Sequence, residues 1–497
     1  MDETQLISVS FESSAVIAFI AYLILIIGVG IYASRFSSRG ISEYFIGGRK
    51  MNRFVVALSA VVSGRSAWLL LGVTGMAYAQ GPSAVWAVLG YIIVEIFLFL
   101  YYGRRLRNFT ENRNCITIPD FFAERFSDHD GKLRMTIVVI FLLFMVGYIS
   151  SQFVAGGKAF ASGFGLETDT GVLLTAGIVL VYTIVGGFLA VSLTDMFQAI
   201  FMMLALVILP VIAIMNFGGL QELLSSLAVM DMMYVDPFAV SVGAAIGFLG
   251  IGLGSPGNPH ILARYMSIDD PKQFKYVAVV GTTWNVLMAW GAVFVGLAGR
   301  AYFPDVEMLP GADTENLFPM LAQLHLHPIL FGVVLASIFA AIMSTADSQL
   351  LVAASSVVRD IYEKIIKKGV EVSQEKLVLY SRAVVFLIVI LALIFGFYAE
   401  DLVFWLVLFA WAGLGASIGP TSILALYWKG TTRAGIFAGL ITGTLVTIGW
   451  YLIPELKALM YELIPGFIAS LLATWLVSLF TESAPDTKKA FEDMFDE

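Results

Sequence analysis

The chain contains one cysteine, Cys115, so neither an internal disulfide nor a cysteine-based metal cluster can form. Histidine is nearly as scarce. His129, His260, His325 and His327 are the full set, and none stands in an HExxH pair or a Ser/His/Asp arrangement. A GxxxxGK[ST] loop is also missing, which leaves ATP-driven pumping without a site. No enzyme class finds support in these residues, and coupling to an ion gradient is what remains for active transport. Charge is the last shortage: Asp, Glu, Lys and Arg make up 13% of 497 residues, about half the usual share of a soluble domain.

Apolar residues fill the chain instead, at 59% with a mean hydropathy of +0.87, and they are gathered in long runs. The first, Ser13 to Ala33, holds 21 residues without a charge. That is enough to cross roughly 30 Å of hydrocarbon at about 1.5 Å per residue. It follows the acidic Met1-Asp2-Glu3-Thr4. A cleavable signal peptide needs a basic start and a shorter apolar stretch, so a retained first helix is expected. Polar turns divide the whole chain into thirteen expected spanning helices: 13 to 33, 54 to 79, 83 to 103, 135 to 163, 170 to 191, 195 to 216, 238 to 262, 276 to 302, 328 to 358, 380 to 399, 402 to 427, 433 to 453 and 460 to 480. The fold class is an all-α polytopic membrane protein whose surroundings are the lipid bilayer.

The net charge of −8 says less than where the charges sit. Of the 29 Lys and Arg, all but Arg65, Lys158, Arg300 and Lys457 fall on one side if the N-terminus is outside. Basic loops resist translocation, so the expected placement is the cell (inner) membrane, N-terminus out and C-terminus cytoplasmic. The same loops are topological signals, and no nucleic-acid partner is expected. No obligate protein partner is evident either.

Two helices are interrupted alike. The second carries Ser63-Gly64-Arg65-Ser66, and the seventh carries six glycines between Gly243 and Gly257 before Asn258-Pro259. Five helices separate the two starts, the spacing of an inverted repeat of five plus five helices. The units would be 1–53 (first peripheral helix and cytoplasmic link), 54–216 (first repeat), 217–237 (extracellular loop), 238–427 (second repeat) and 428–497 (two peripheral helices and cytoplasmic tail). Close helix packing is the competing explanation of the glycines.

Charges within a membrane are costly and mark function. Arg65, Glu95, Asp195 and Asp347 lie deep, whereas Lys158 is near enough to a helix end to snorkel. Ser344 and Thr345 place adjacent hydroxyls within three residues of Asp347, and hard oxygens of this kind suit a small cation such as sodium. Hydroxyls in membrane helices also bond the preceding turn, so alone they decide little. The second and third helices form a hairpin near Gly81, which sets Arg65 and Glu95 at similar depth and suggests an ion pair. A substrate carboxylate, or replacement of sodium by the guanidinium, are the other roles open to Arg65.

Several long motifs then stand in order: Phe45-Ile46-Gly47-Gly48-Arg49, Trp68-Leu69-Leu70-Leu71-Gly72, Gly186-Gly187-Phe188-Leu189-Ala190-Val191-Ser192 with Thr194-Asp195, Pro259-His260-Ile261-Leu262-Ala263-Arg264, Met343-Ser344-Thr345 with Gln349-Leu350-Leu351-Val352, and Ala410-Trp411-Ala412-Gly413-Leu414-Gly415-Ala416. From about residue 20 to 480 the chain resembles the sodium/solute symporters, in particular the sodium/proline branch. The resemblance implies a LeuT-like five-plus-five symporter fold with Na+ as the coupling ion. It implies a sodium site of the carbonyls of Val62, Arg65 and Ala341, the hydroxyls of Ser344 and Thr345, and Asp195 close by. It implies a substrate site of Ser66, Ala67, Trp68, Tyr148 and Ser348, with Ile251, Ser255 and Pro256 on the seventh helix.

Two departures matter. The family's proline carriers have an aspartate where this chain has Gly64, so the carboxylate for sodium falls to Asp195 or Asp347. They also have a tryptophan and a tyrosine at Ile251 and Ser255, and a further aromatic at Pro256. Smaller residues there enlarge the pocket. The expected function is sodium-coupled symport of a small amino acid, proline first. The alternatives are a different or bulkier zwitterion or a carboxylate, or a proton-coupled or sodium-independent carrier. A channel lacks a filter-like run, and the roughly sixteen residues after the last helix are too few for the signalling domain of a receptor.

Overall fold

The structure, a computed structural model, describes residues 13–37, 40–398, 403–492 and 494. The acidic start at residues 1 to 4, the expected helix end at 399 and the expected helix start at 402 lie outside the described residues.

With no water in the hydrocarbon layer, an apolar run satisfies its backbone within itself only as a helix. The elements follow the runs closely. α1 (Ser13–Ser37) leads to α2 (Arg53–Ser63), α3 (Thr74–Gln80) and α4 (Val85–Phe97), the last continued through a π-helical turn into Gly103–Asn112. α5 (Lys132–Phe164) and α6 (Thr168–Asn216) come next. The second half holds α7 (Val242–Gly250), α8 (Pro259–Ser267), α9 (Phe274–Tyr302) and α10 (Pro328–Ser355). α11 (Gln374–Phe397), α12 (Val403–Tyr427), α13 (Arg433–Leu452) and α14 (Leu463–Leu479) complete it.

Nine helical stretches among the described residues are long and apolar enough to cross a bilayer, and the shorter apolar helices Arg53–Ser63, Leu220–Met230, Val242–Gly257 and Leu463–Leu479 add to them. Two of the nine are hairpins. In Trp68–Asn112 the chain reverses at Gly81, with φ 68° and ψ −154°. Arg65 before the turn touches Glu95 after it, whereas a straight helix would hold them about 45 Å apart. Within α6 the reversal falls at Gly187, with φ 63° and ψ −179°, so that the Tyr182 hydroxyl meets Thr194. The sequence reading put that turn after residue 191. A backbone with positive φ requires glycine more than polarity, and an apolar-run criterion does not register it.

Burial separates the layers. The most apolar windows of Pro328–Ile366 and Val403–Tyr427 are 83% buried, against 28% for α1 and 33% for both α11 and α13. α10 and α12 are therefore the centre. α10 packs on α6, α1 and α5, and α12 on α5, α14, α13 and the segment Ile251–Gly257.

The glycines of the seventh helix serve both explanations left open by the sequence. The helix is interrupted there, and its backbone also presses on both neighbours. A Cβ on Gly252 would lie 2.2 Å from the Gly90 carbonyl of α4, and one on Gly257 would lie 2.2 Å from the Leu414 carbonyl of α12. Backbone cannot yield as a side-chain tip can. Gly257→Ala is therefore expected to destabilise the protein by about 1–3 kcal/mol through overpacking, read as a lower melting temperature in detergent. Gly449→Ala, with nothing within 4 Å, is expected to leave stability unchanged or raise it, since alanine is the better helix former.

Candidate substrate and sodium site

α2 ends at Ser63, and after a short gap the chain continues as a π-helical stretch, Trp68–Val73, before α3 begins at Thr74. Ser66 within the gap has φ 51°, a left-handed conformation that costs a residue with a Cβ about 1–2 kcal/mol. Backbone groups released by the break find partners on other helices, as buried groups must. The Ala67 amide donates to Gln152 Oε1 of α5 at 3.1 Å, and the Thr345 hydroxyl of α10 donates to the Ser63 carbonyl at 2.9 Å. Ser66 Oγ accepts from the Trp68 amide at 3.2 Å. The other break is served likewise: Trp411 Nε1 of α12 donates to the Ile251 carbonyl at 2.7 Å, and Asn258 Nδ2 donates to the Gly254 carbonyl at 2.8 Å.

Ser344, Thr345 and Asp195 come together beside the α2 break. The Ser63 hydroxyl reaches the Ser344 carbonyl at 3.0 Å and Asp195 Oδ2 at 3.3 Å, and Ser59 donates to the same Oδ2 at 2.6 Å. The three carbonyls implied for sodium are already hydrogen-bonded. Val62 accepts from the Arg65 amide at 3.1 Å and Arg65 from the Leu69 amide at 3.2 Å. Ala341, inside α10, accepts from the Ser344 hydroxyl at 3.1 Å.

Arg264 of α8 closes the cluster, and sequence reasoning missed it. Its Nη2 pairs with Asp195 Oδ2 at 3.1 Å, Nε donates to Ser59 Oγ at 3.0 Å, Nη1 donates to the His260 carbonyl at 2.8 Å, and Nη2 also contacts Ser348 Oγ. Arg264 is 1% exposed and Asp195 0%. The signal available was a lone arginine soon after a helix break. Its position near a helix end made it one more topological charge.

Of the residues implied for substrate, Ser66 and Tyr148 meet at 3.5 Å, with Ala67 and Trp68 alongside. Trp68 stacks on Phe404 with ring centroids 6.0 Å apart and meets Tyr91 edge-on at 6.1 Å. On the seventh helix Ile251 and Ser255 are buried, and the Ser255 hydroxyl has no hydrogen-bond partner among the described residues. Pro256 turns toward α12, where its carbonyl accepts from Ser422 at 3.3 Å. Ser348 stands with the charged cluster, its hydroxyl 2.6 Å from the Ser344 carbonyl and 3.0 Å from Asp347 Oδ1, with one proton to share between them.

Arg65 points the other way, into the space between α4 and α9. Its Nη2 pairs with Glu95 Oε1, Nε donates to Asn285 Oδ1 at 3.1 Å, and the guanidinium lies 3.7 Å from the Tyr91 ring centroid. Asn285 in turn donates to Glu95 Oε2, so one amide bridges both ends of the pair. Arg65 and Glu95 are each 1% exposed. Lys158 keeps 18% of its side chain exposed, and its ammonium is also paired. It pairs with Asp313 at 2.7 Å and Glu315 at 2.5 Å, and Glu315 accepts the first amides of α12, Val403 at 3.2 Å and Phe404 at 2.8 Å.

Two interrupted helices that meet hydroxyls and carboxylates inside a helical membrane bundle define a secondary transporter of the inverted-repeat class. The model of the sodium:solute symporter family matches residues 44–443, and the chain belongs to that family. It is 37% identical to the sodium/proline symporters of Staphylococcus aureus strains NCTC 8325 / PS 47 and MW2, over 96% of this chain and 94% of theirs. Among solved structures it is similar to a substrate-bound, outward-open sodium-coupled sialic acid symporter, with a TM-score of 0.81 and 19% identity over 96% of this chain and 100% of that one. The nucleobase-cation-symport-1 transporter Mhp1 gives a TM-score of 0.56 at 14% identity, covering 92% and 99%, and MhsT in complex with L-phenylalanine 0.56 at 12%, covering 86% and 99%. The fold is thus that of the LeuT-like carriers, and the protein is a transporter rather than an enzyme.

Removing one member of a buried pair leaves the other charge uncompensated, at a cost of about 3–5 kcal/mol. Glu95→Gln is therefore expected to lower the melting temperature markedly, and Arg65→Met added to Glu95→Gln to recover much of the loss. A double variant no more stable than Glu95→Gln would show that the two charges do not depend on each other.

Proposed function

We propose that the chain carries a small amino acid, proline first, into the cell together with sodium. One observation carries the reading: the α2 break, Ser344, Thr345 and Asp195 converge on one point, with several oxygens of the hard type a small cation prefers. The name of the Staphylococcus aureus relatives supports both the ion and the solute. Ser66, Ala67, Trp68 and Tyr148 at one break, with Ile251 and Ser255 at the other, are proposed as the substrate group, and Val62, Arg65 and Ala341 as contributing carbonyls to sodium. The guanidinium of Arg65 is engaged by Glu95, which favours a structural role over recognition of a substrate carboxylate. Units 54–216 and 238–427 act as the two repeats whose relative rocking exposes the site to either side. The distribution of Lys and Arg supports the cell (inner) membrane with the N-terminus outside.

A second reading, a bulkier zwitterion or a carboxylate, is favoured by Ile251 and Ser255, which are smaller than the rings of the family's proline carriers.

Uptake of labelled proline into proteoliposomes should require sodium outside and fall to background in choline. Ser344→Ala with Thr345→Ala should weaken sodium dependence at least tenfold, about 1.4 kcal/mol. Equal uptake in sodium and choline, driven by a proton gradient, would refute sodium coupling. For the solute, Ile251→Trp with Ser255→Tyr should shift preference toward proline. An unmodified protein that already rejects larger amino acids would remove the second reading.

A further inference from the structure

The buried charge beside the α2 break does not balance. Asp195 and Asp347 bring two carboxylates, both 0% exposed, and Arg264 brings one guanidinium at 1%. Arg264 is committed to Asp195 Oδ2, Ser59 and the His260 carbonyl. Asp347 has no ion pair among the described residues. Its Oδ1 lies 3.0 Å from the Ser348 hydroxyl, and among the described residues neither its Oδ2 nor Asp195 Oδ1 has a hydrogen-bond partner. A carboxylate left alone at that depth costs several kcal/mol. Beside it the hydroxyls of Ser63 and Ser348 lie 3.3 Å apart, the Ser348 hydroxyl is 2.6 Å from the Ser344 carbonyl, and Arg264 Nη2 contacts Ser348 Oγ.

We infer that Asp347 is the carboxylate that neutralises the transported sodium in this chain, so that α10 carries the charge the interrupted α2 lacks. The inference rests on the sodium-symport reading and names the residue that sets sodium affinity. Gly64 stands where the resemblance implies an aspartate, so the α2 break offers no carboxylate of its own. Asp195 cannot serve alone, because its charge is already answered by Arg264. A sodium ion next to Asp347 brings the cluster to zero net charge, and its loss restores one uncompensated negative charge on α10. Sodium occupancy therefore changes the electrostatic cost of holding α10 against α2 and α6.

The test is thermal unfolding of the purified, detergent-solubilised protein, followed by tryptophan fluorescence. Sodium chloride is titrated against potassium and choline chloride at constant ionic strength. The unmodified protein is expected to be stabilised by sodium and not by the other two, by mass action. Asp347→Asn, nearly isosteric, is expected to melt higher than the unmodified protein without sodium. It should also raise the sodium midpoint at least about tenfold. An unchanged midpoint in Asp347→Asn overturns the inference and leaves sodium symport standing. Unmodified protein blind to sodium overturns symport itself. Should Asp347→Asn fail to fold, Asp347→Glu takes its place. A shifted sodium midpoint or altered preference over potassium supports the role, and an unchanged response overturns it.

Discussion

A helix that stops inside hydrocarbon exposes amides and carbonyls that no water can satisfy, and much of this molecule's centre is the answer to that constraint. Gln152 of α5 and Thr345 of α10 hold the α2 break, and Trp411 of α12 holds the break after α7. These bonds tie the two interrupted helices to the most deeply buried ones. They also explain why the polar residues of α5, α10 and α12 are clustered rather than scattered. The same places are where buried hydroxyls and carboxylates gather, so stability of the breaks and room for a ligand have one origin.

The guanidiniums of Arg65 and Arg264, both buried, do different work. Arg65 is bound to Glu95, Asn285 and Tyr91, on α4 and α9. Its charge is neutralised within that group and does not reach the hydroxyl cluster. Arg264 joins α8 to α2, α6 and α10 through Ser59, Asp195 and Ser348. In the proposed rocking of one repeat against the other, its bonds to Ser59 and Asp195 are among those to be exchanged. A bound cation beside Asp195 and Asp347 would alter the balance of that exchange.

Sequence alone revealed the runs and the breaks because hydropathy and glycine spacing are local properties. Thus α5, α9, α12 and α13 fall within a few residues of their expected limits. The meeting of Arg65 and Glu95 was legible because the turn at Gly81 sits midway between them in sequence. What stayed hidden depended on contacts between distant segments. Gln152 and Asn285 are ordinary polar residues until the fold sets them against Ala67 and Glu95. Arg264 was masked by its position near a helix end, and Ser348 by a place in the chain that suits either ion or solute. The short helices Ile41–Ile46, Ile118–Arg125 and Pro485–Glu492 lie outside the apolar runs and left no hydropathy signal.

Sodium and solute, proposed to bind around the same interrupted helix, should be coupled energetically. Linkage requires that coupling to be reciprocal: the factor by which sodium raises solute affinity equals the factor by which solute raises sodium affinity. Calorimetric titration of the purified protein with proline, with and without sodium, and with sodium, with and without proline, measures both factors. The shared factor is expected to be well above one. Proline affinity that is the same in sodium and in choline would contradict it.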